Sequence, residues 1–198
     1  MYNFPETQKK LKSRISSYKS SLLKEMKKFG YINDGAGKRY LLFSLYFVLN
    51  EIEKTKDYIK WYAKEFSDDI GEPIQQLCWA LSLKRMNDEV GAKKMLAETM
   101  LSNLYIIPKL LERKIQEHDI WHSSSYQNIG YFDYTPKEVI ASITEEEIQW
   151  IGQEYDSPEF SRIRERYIDI YYNLKTTKEI GERKRLLEES YSLVGSLQ

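Results

Sequence analysis

Residues 40–49 read Tyr-Leu-Leu-Phe-Ser-Leu-Tyr-Phe-Val-Leu, an almost unbroken apolar run. A helix that is apolar all round has no face to offer water, so other elements must enclose it. Ten residues is long for a buried strand, where about five or six is usual. The run therefore predicts a buried central helix, and the rest of the chain has to supply its cover.

The flanks have the pattern for that task. Leu11, Ile15, Tyr18, Leu22, Met26 and Phe29 recur at spacings of three and four, one stripe on a long helix over 7–29 that Gly30 ends. Ile52, Thr55, Ile59, Tyr62 and Phe66 repeat the stripe, and Glu72-Pro73 opens a helix carrying Ile74, Leu77, Cys78 and Leu81. Ala92, Met95, Leu96 and Thr99 form the next stripe, continued by Leu104, Ile107, Leu110 and Leu111. Residues 116–134 lose the periodicity and read as one long connection. Thr135-Pro136-Lys137-Glu138 and Thr144-Glu145-Glu146-Glu147 both fit a capping box. Ser157-Pro158-Glu159 starts the helix of Phe160, Ile163, Tyr167, Ile170, Tyr171 and Leu174, and Ile180, Leu187, Tyr191 and Val194 mark a last one. No alternating strand pattern competes. The fold expected is all-α.

Sliding the chain by 37 residues aligns two helix pairs: Val48-Leu49-Asn50-Glu51 falls on Arg85-Met86-Asn87-Asp88, and Thr55 falls on Ala92. A helix–turn–helix unit of about 34 residues is the tetratricopeptide geometry. Each unit leaves an apolar face that only a neighbour can cover, so flanking helices must cap the pair. Asn33-Asp34-Gly35-Ala36-Gly37-Lys38-Arg39-Tyr40-Leu41-Leu42 also resembles the N-D-x-x-G-x-R-Y-L-L opening of a tetratricopeptide-like domain. That domain occurs in suppression-of-tumorigenicity tumour-suppressor proteins and in bacterial proteins linked to SEC-C motifs. Asn103 to Leu111 is similar to a second motif of that family, with Leu104 in place of its proline, and Tyr126, Gly130 and Trp150 stand for a later aromatic-Gly loop and Trp helix. The likeness spans roughly residues 31–151. It implies a protein-interaction scaffold and carries no catalytic residues with it.

The charges are balanced overall, 30 basic against 30 acidic, which argues against a globally basic polyanion binder. Their distribution is lopsided. Residues 1–30 hold eight basic and two acidic side chains, whereas 115–160 hold ten acidic ones and Lys137 alone. The preferred reading is that the basic helix packs onto the acidic segment or onto a second copy. Its lysines, Lys9, Lys10, Lys12, Lys24, Lys27 and Lys28, together with Arg14 and Lys19, are also the alternative: a patch for nucleic-acid phosphates or an anionic surface.

Candidate chemistry is thin. Asp34-Gly35-Ala36-Gly37-Lys38 lacks the phosphate-loop spacing and puts Arg39 where Ser or Thr is needed. Its better reading is structural, with Asp34 capping a helix and Arg39 paired to an acid. His118 and His122 stand at i and i+4 around Asp119, the one metal pattern in the chain, but Ser123-Ser124-Ser125 follows and no third His or Cys exists. Cys78 is the single cysteine and sits on an apolar stripe, as a small hydrophobe would. Glu145-Glu146-Glu147 suits a helix first turn, while Trp61 and Trp79 fall off their neighbours' stripes and are candidates for a groove. No metal, cofactor or enzymatic activity is expected.

The expectation is thus a short α-solenoid: a basic helix over 1–30, two tetratricopeptide-like pairs over 31–115, and an acidic loop with C-terminal capping helices over 116–198, in a single domain. One cysteine, no apolar leader at the start and no long apolar run point to a cytoplasmic protein without a transmembrane segment. Its partner is expected to be another protein or peptide, with a second copy of the chain as a further candidate and nucleic acid disfavoured. The expected groove is lined by Arg39, Tyr46, Trp79 and Lys84, the aromatics giving apolar contact and the cations charge complementarity.

Overall fold

The computed structural model describes residues 4–121 and 124–197. Those residues form ten α-helices and two short 3-10 turns, with no strand among them. Helix α1 (Gln8–Phe29) is followed by α2 (Lys38–Leu49), α3 (Ile52–Glu65), α4 (Pro73–Arg85) and α5 (Glu89–Ser102). The short α6 (Ile106–Leu110) leads into an irregular connection ending in the turn Tyr131–Tyr134. The chain closes with α7 (Lys137–Ala141), α8 (Glu145–Asp156), α9 (Pro158–Thr176), α10 (Ile180–Ser192) and a last turn, Leu193–Ser196.

Helix α2 is the buried centre. Leu42 to Phe47 and Leu49 are all buried, although Phe, Tyr and Ser are only moderate helix formers. Their propensity penalty is about 0.5 kcal/mol per residue, against about 1.5–3 kcal/mol for burying one large apolar side chain. Burial decides. Helix α1 covers one side of α2 with Leu11, Ile15 and Leu22. Helix α4 covers another and is itself buried almost all round, from Pro73 to Cys78 and at Ala80 to Ser82. The aromatic rings of Phe43, Tyr58, Tyr62 and Trp79 pack at centroid distances of 5.0 to 6.5 Å between α2, α3 and α4.

The helix pairs α2–α3 and α4–α5 turn through asparagines in the same unusual conformation. Asn50 has φ 54° and Asn87 has φ 59°, the left-handed region that Asn tolerates better than most residues. Thr55 and Ala92, one turn further on, are both buried. Helix ends follow the sequence signals at Gly30, at Thr144 with Glu147, and at Ser157-Pro158. Thr135 is the exception. Pro136 takes the cap position of α7 without a side-chain bond, and the buried Thr135 Oγ1 has no partner. The helix begins one residue later than the capping box that its sequence spells, so Thr135 stands outside the cap position.

The connection after α6 is irregular yet firmly held. Gln127 is buried; its Nε2 donates to the Leu101 carbonyl at 2.6 Å and to the Tyr167 hydroxyl at 3.1 Å, and its Oε1 accepts the Leu104 N–H. Asn103 Nδ2 donates to the carbonyls of Tyr126 and Asn128. The connection is thereby drawn against α5 and α9, beside the face of α4 that carries Trp79.

Among the described residues no ion pair joins the lysines of 9–28 to 115–160, which removes the within-chain form of the preferred reading and leaves packing onto a second copy as its other form. Asp133, Glu147, Glu154, Asp156 and Glu159 pair instead with Lys109 of α6, Arg85 of α4, Lys93 of α5, Arg113 just after α6 and again Lys93, and Asp119 pairs with Lys175. Helix α1 lies on α2, because its apolar stripe and not its charge decides where it docks. No helix of the described residues is long and apolar enough to cross a membrane.

Candidate functional site

The candidate site begins where α4 begins. Gly71 has φ 78°, and a Cβ there would meet Gln75 Oε1 at 2.6 Å, so only glycine fits this turn. Glu72 then caps the helix in a reciprocal box with Gln75, and Pro73 occupies its first turn. Burial pushes the Glu72 carboxyl up to about 7, partly offset by the N–H groups of Gln75 and Ile74. The Gln75 Oε1 accepts the Glu72 N–H at 2.9 Å, and the Gln76 Nε2 donates to the Ile70 carbonyl at 2.9 Å. These two partners determine which way each amide points.

What remains of each amide is unspent. Gln75 Nε2 and Gln76 Oε1 have no hydrogen-bond partner in the protein, and neither has the Trp79 indole Nε1 one turn along. Gln75 is 1% exposed and Gln76 6%. A buried polar group left unpaired costs about 1–3 kcal/mol, and here two donors and an acceptor stand together on one helix.

All three residues line a cavity of about 520 Å³. Tyr62, Phe66 and the 67–71 loop form one wall, and Met95, Glu98, Leu101 and Ser102 of α5 form the floor beside α4. Tyr126 and Gln127 of the irregular connection, Tyr167 and Tyr171 of α9, and Tyr191 and Val194 at the C-terminal end close the far side. Its volume lies in the range of about 300–1,000 Å³ that ligand pockets occupy. The Tyr62 hydroxyl is buried without a partner, and burial, then the negative charge of Asp69, push it well above the usual tyrosine range. Asp69 is itself neutralised. Burial raises its carboxyl, but bonds from Tyr40, Arg39 and the Gly71 N–H hold it below the ordinary value. Glu98, a solvent-exposed residue of α5, borders the cavity with no ion pair among the described residues, and partial desolvation by the surrounding protein raises its carboxyl.

The four residues expected to share a groove are separated. Trp79 lines this cavity. Arg39 lies behind it, its guanidinium 2.5 Å from Asp69 and 3.2 Å from Asp34, while the Asp34 carboxylate also accepts the first N–H groups of α2. Tyr46 is 2% exposed and belongs to the core, since α2 is enclosed on the side it faces; burial pushes its hydroxyl up to about 12. Lys84 sits at the far end of α4, paired with Glu89 at 2.7 Å. There it helps line a second cleft, of about 700 Å³. In that cleft Arg85 pairs with Glu147 at 2.7 Å, donates to the Ser142 and Phe47 carbonyls and to Asn50 Oδ1, and stacks over the Phe47 ring.

The remaining candidates resolve simply. Residues 114–121 are not helical, so the spacing of His118 and His122 does not create a helix face; His122 lies outside the described residues. Asp119 pairs with Lys175, and no cluster that would hold a metal exists among the described residues. Cys78 is fully buried, its thiol pushed up to about 12 by burial, against the Ser44 hydroxyl at 3.7 Å; a thiol so buried is inert. Trp61 packs on Tyr58 and Phe66. Lys9, Lys24, Lys27 and Lys28 of α1 are exposed and have no carboxylate partner among the described residues, whereas Lys10 pairs with Glu6 and Lys12 with Glu51.

Sequence reasoning reached Trp79 but missed Gln75, Gln76 and Glu98. One signal was present: two adjacent glutamines lie inside an otherwise apolar stripe, Ile74, Leu77, Cys78 and Leu81. The far wall had no local signal, because it comes from three separate later segments. Comparison with known proteins gives no match: no protein-family model, no curated protein and no solved structure is similar to this chain.

Proposed function

We propose that this chain is a non-enzymatic adaptor that binds a peptide segment of another protein in the cavity between α3–α5 and the C-terminal helices. The observation that carries this reading is the unspent donor Gln75 Nε2 and the unspent acceptor Gln76 Oε1, on two neighbouring residues that are each nine-tenths buried and line the cavity. A peptide unit offers one carbonyl and one N–H, which is the complement of that pair. The matched left-handed turns at Asn50 and Asn87, 37 residues apart, support reading 31–115 as two tetratricopeptide-like units with flanking caps. Among the described residues no serine hydroxyl of the lining is hydrogen-bonded to a carboxylate or an imidazole and no metal cluster is present, which favours binding over catalysis.

Selection of a displayed random-peptide library on the protein, with the Gln75→Leu/Gln76→Leu double variant as counter-selection, tests this. Enrichment of sequences that bind the parent and lose binding to the folded variant is expected. Failure to enrich any such sequence overturns the reading.

A second reading keeps one observation of its own. The exposed lysines Lys9, Lys24, Lys27 and Lys28, next to Leu23 and Phe29, which are 51% and 55% exposed, suit a polyanion. Filter binding of mixed-sequence DNA or RNA that falls steeply with salt and disappears when these four lysines become glutamine would move the function to α1.

A further inference from the structure

The cavity's charges narrow its ligand. Among the described residues only two charged ones line it, Asp69 and Glu98, and no Lys, Arg or His does. Asp69 is matched by Arg39 at 2.5 Å, and Glu98 has no cation beside it among the described residues. An anionic ligand would bring a second negative charge next to Glu98 with nothing to balance it, which disfavours it. A purely apolar ligand would leave Gln75, Gln76 and Trp79 unpaired in a now drier site, at the cost of each missing bond. Tyrosines complete the lining: Tyr126 and Tyr191 border the cavity beside Tyr171, whose ring is stacked on Tyr167 and Trp121, and an aromatic ring attracts an organic cation placed over its face.

We infer that the segment bound here presents a basic side chain, guanidinium or ammonium, to Glu98 and the tyrosines of the lining while its backbone meets Gln75, Gln76 and Trp79. This rests on the peptide reading for the backbone contacts and adds the chemistry of the side chain. A guanidinium suits the site better than an ammonium, because its planar fork serves both oxygens of a carboxylate and packs on rings.

Protein-observed NMR supplies the test. The chain has four tryptophans, so the Trp79 indole N–H signal is identified by its loss in Trp79→Phe. Acetylated and amidated pentapeptides Ala-Ala-Xaa-Ala-Ala, with Xaa as arginine, lysine, citrulline or glutamate, are titrated into the millimolar range beside arginine amide alone. The arginine and lysine peptides are expected to shift the Trp79 signal saturably and to bind about tenfold or more tighter than the citrulline isostere. The glutamate peptide is expected not to bind, and Glu98→Gln to erase the arginine–citrulline difference. Equal binding of arginine and citrulline peptides overturns the cation inference and leaves the peptide reading standing. Arginine amide binding as tightly as its peptide, with no effect of Gln76→Leu, supports the cation and overturns the peptide reading. No shift with any probe overturns both.

Discussion

The two ends of α4 are built from similar materials and finished differently. At its C-terminal end Arg85 makes bonds to Glu147, Ser142, Phe47 and Asn50, and Glu147 also closes the Thr144 capping box. At its N-terminal end Gln75, Gln76 and Trp79 each stop one bond short. Both ends border a cleft, of about 700 Å³ and about 520 Å³ respectively. The larger cleft is the less promising one, because its buried polar groups have already found each other. A satisfied network fastens helices together; an unsatisfied one is available to a ligand.

Removing the bolt gives the largest effect. Arg85→Ala leaves Glu147, 7% exposed at its side chain, without its cation, and should cost about 3–5 kcal/mol in urea unfolding. A loss below about 1 kcal/mol would show that the C-terminal end is no more committed than the other. Glu72 probes the opposite end. Its folded-state pKa, raised to about 7 from an ordinary 4.5, favours the protonated fold, so that stability is full below the ordinary value and is lost as pH rises through about 7. Glu72→Gln, which keeps the cap acceptor and removes the charge, should gain about 2 kcal/mol over the parent near pH 8, with most of that gain gone near pH 5. A gain independent of pH would refute the assignment.

The paired turns sharpen the contrast. Asn50 and Asn87 share a left-handed backbone, but only the Asn50 side chain accepts from Arg85, at 3.1 Å. Asn87→Ala should cost about 1 kcal/mol for the backbone alone, and Asn50→Ala about 1 kcal/mol more for the lost bond. Equal costs in thermal or urea unfolding would remove the Asn50 side chain from the C-terminal network. Smallest of all is Glu98→Gln. With no partner to lose, it should alter stability by less than about 0.5 kcal/mol, while changing what the cavity binds. A large destabilisation there would mark Glu98 as part of the fold.

Much of the helical order was legible along the chain. The stripe of α9, the apolar run of α2 and the stop and start signals at Gly30, Thr144 and Ser157 are local, and each is realised; the stripes of α1 and α3 are realised in part, since Phe29 is left exposed and α3 buries Tyr58 where the sequence stripe has Ile59. The cavity was legible only through Trp79. Tyr46 looks like a groove aromatic until α2 is enclosed, and Lys84 and Arg39 are claimed by Glu89 and by Asp34 with Asp69. The opposite charges of 1–30 and 115–160 suggested a pairing, yet several of the acids found nearer cations on α4, α5, α6 and the residues just after it.

The sequence by itself determined that the chain is helical, where most helices begin and end, and that α2 lies at the centre, because periodicity, capping and burial act over one or two turns. Only the tertiary structure decided which polar groups are spent and which are left over. That depends on residues far apart in the chain, Arg85 with Glu147 at one end of α4 and Gln76 facing α5, α9 and the C-terminal turn at the other. A hydrogen bond is satisfied or not by three-dimensional proximity, and no spacing along the sequence encodes it.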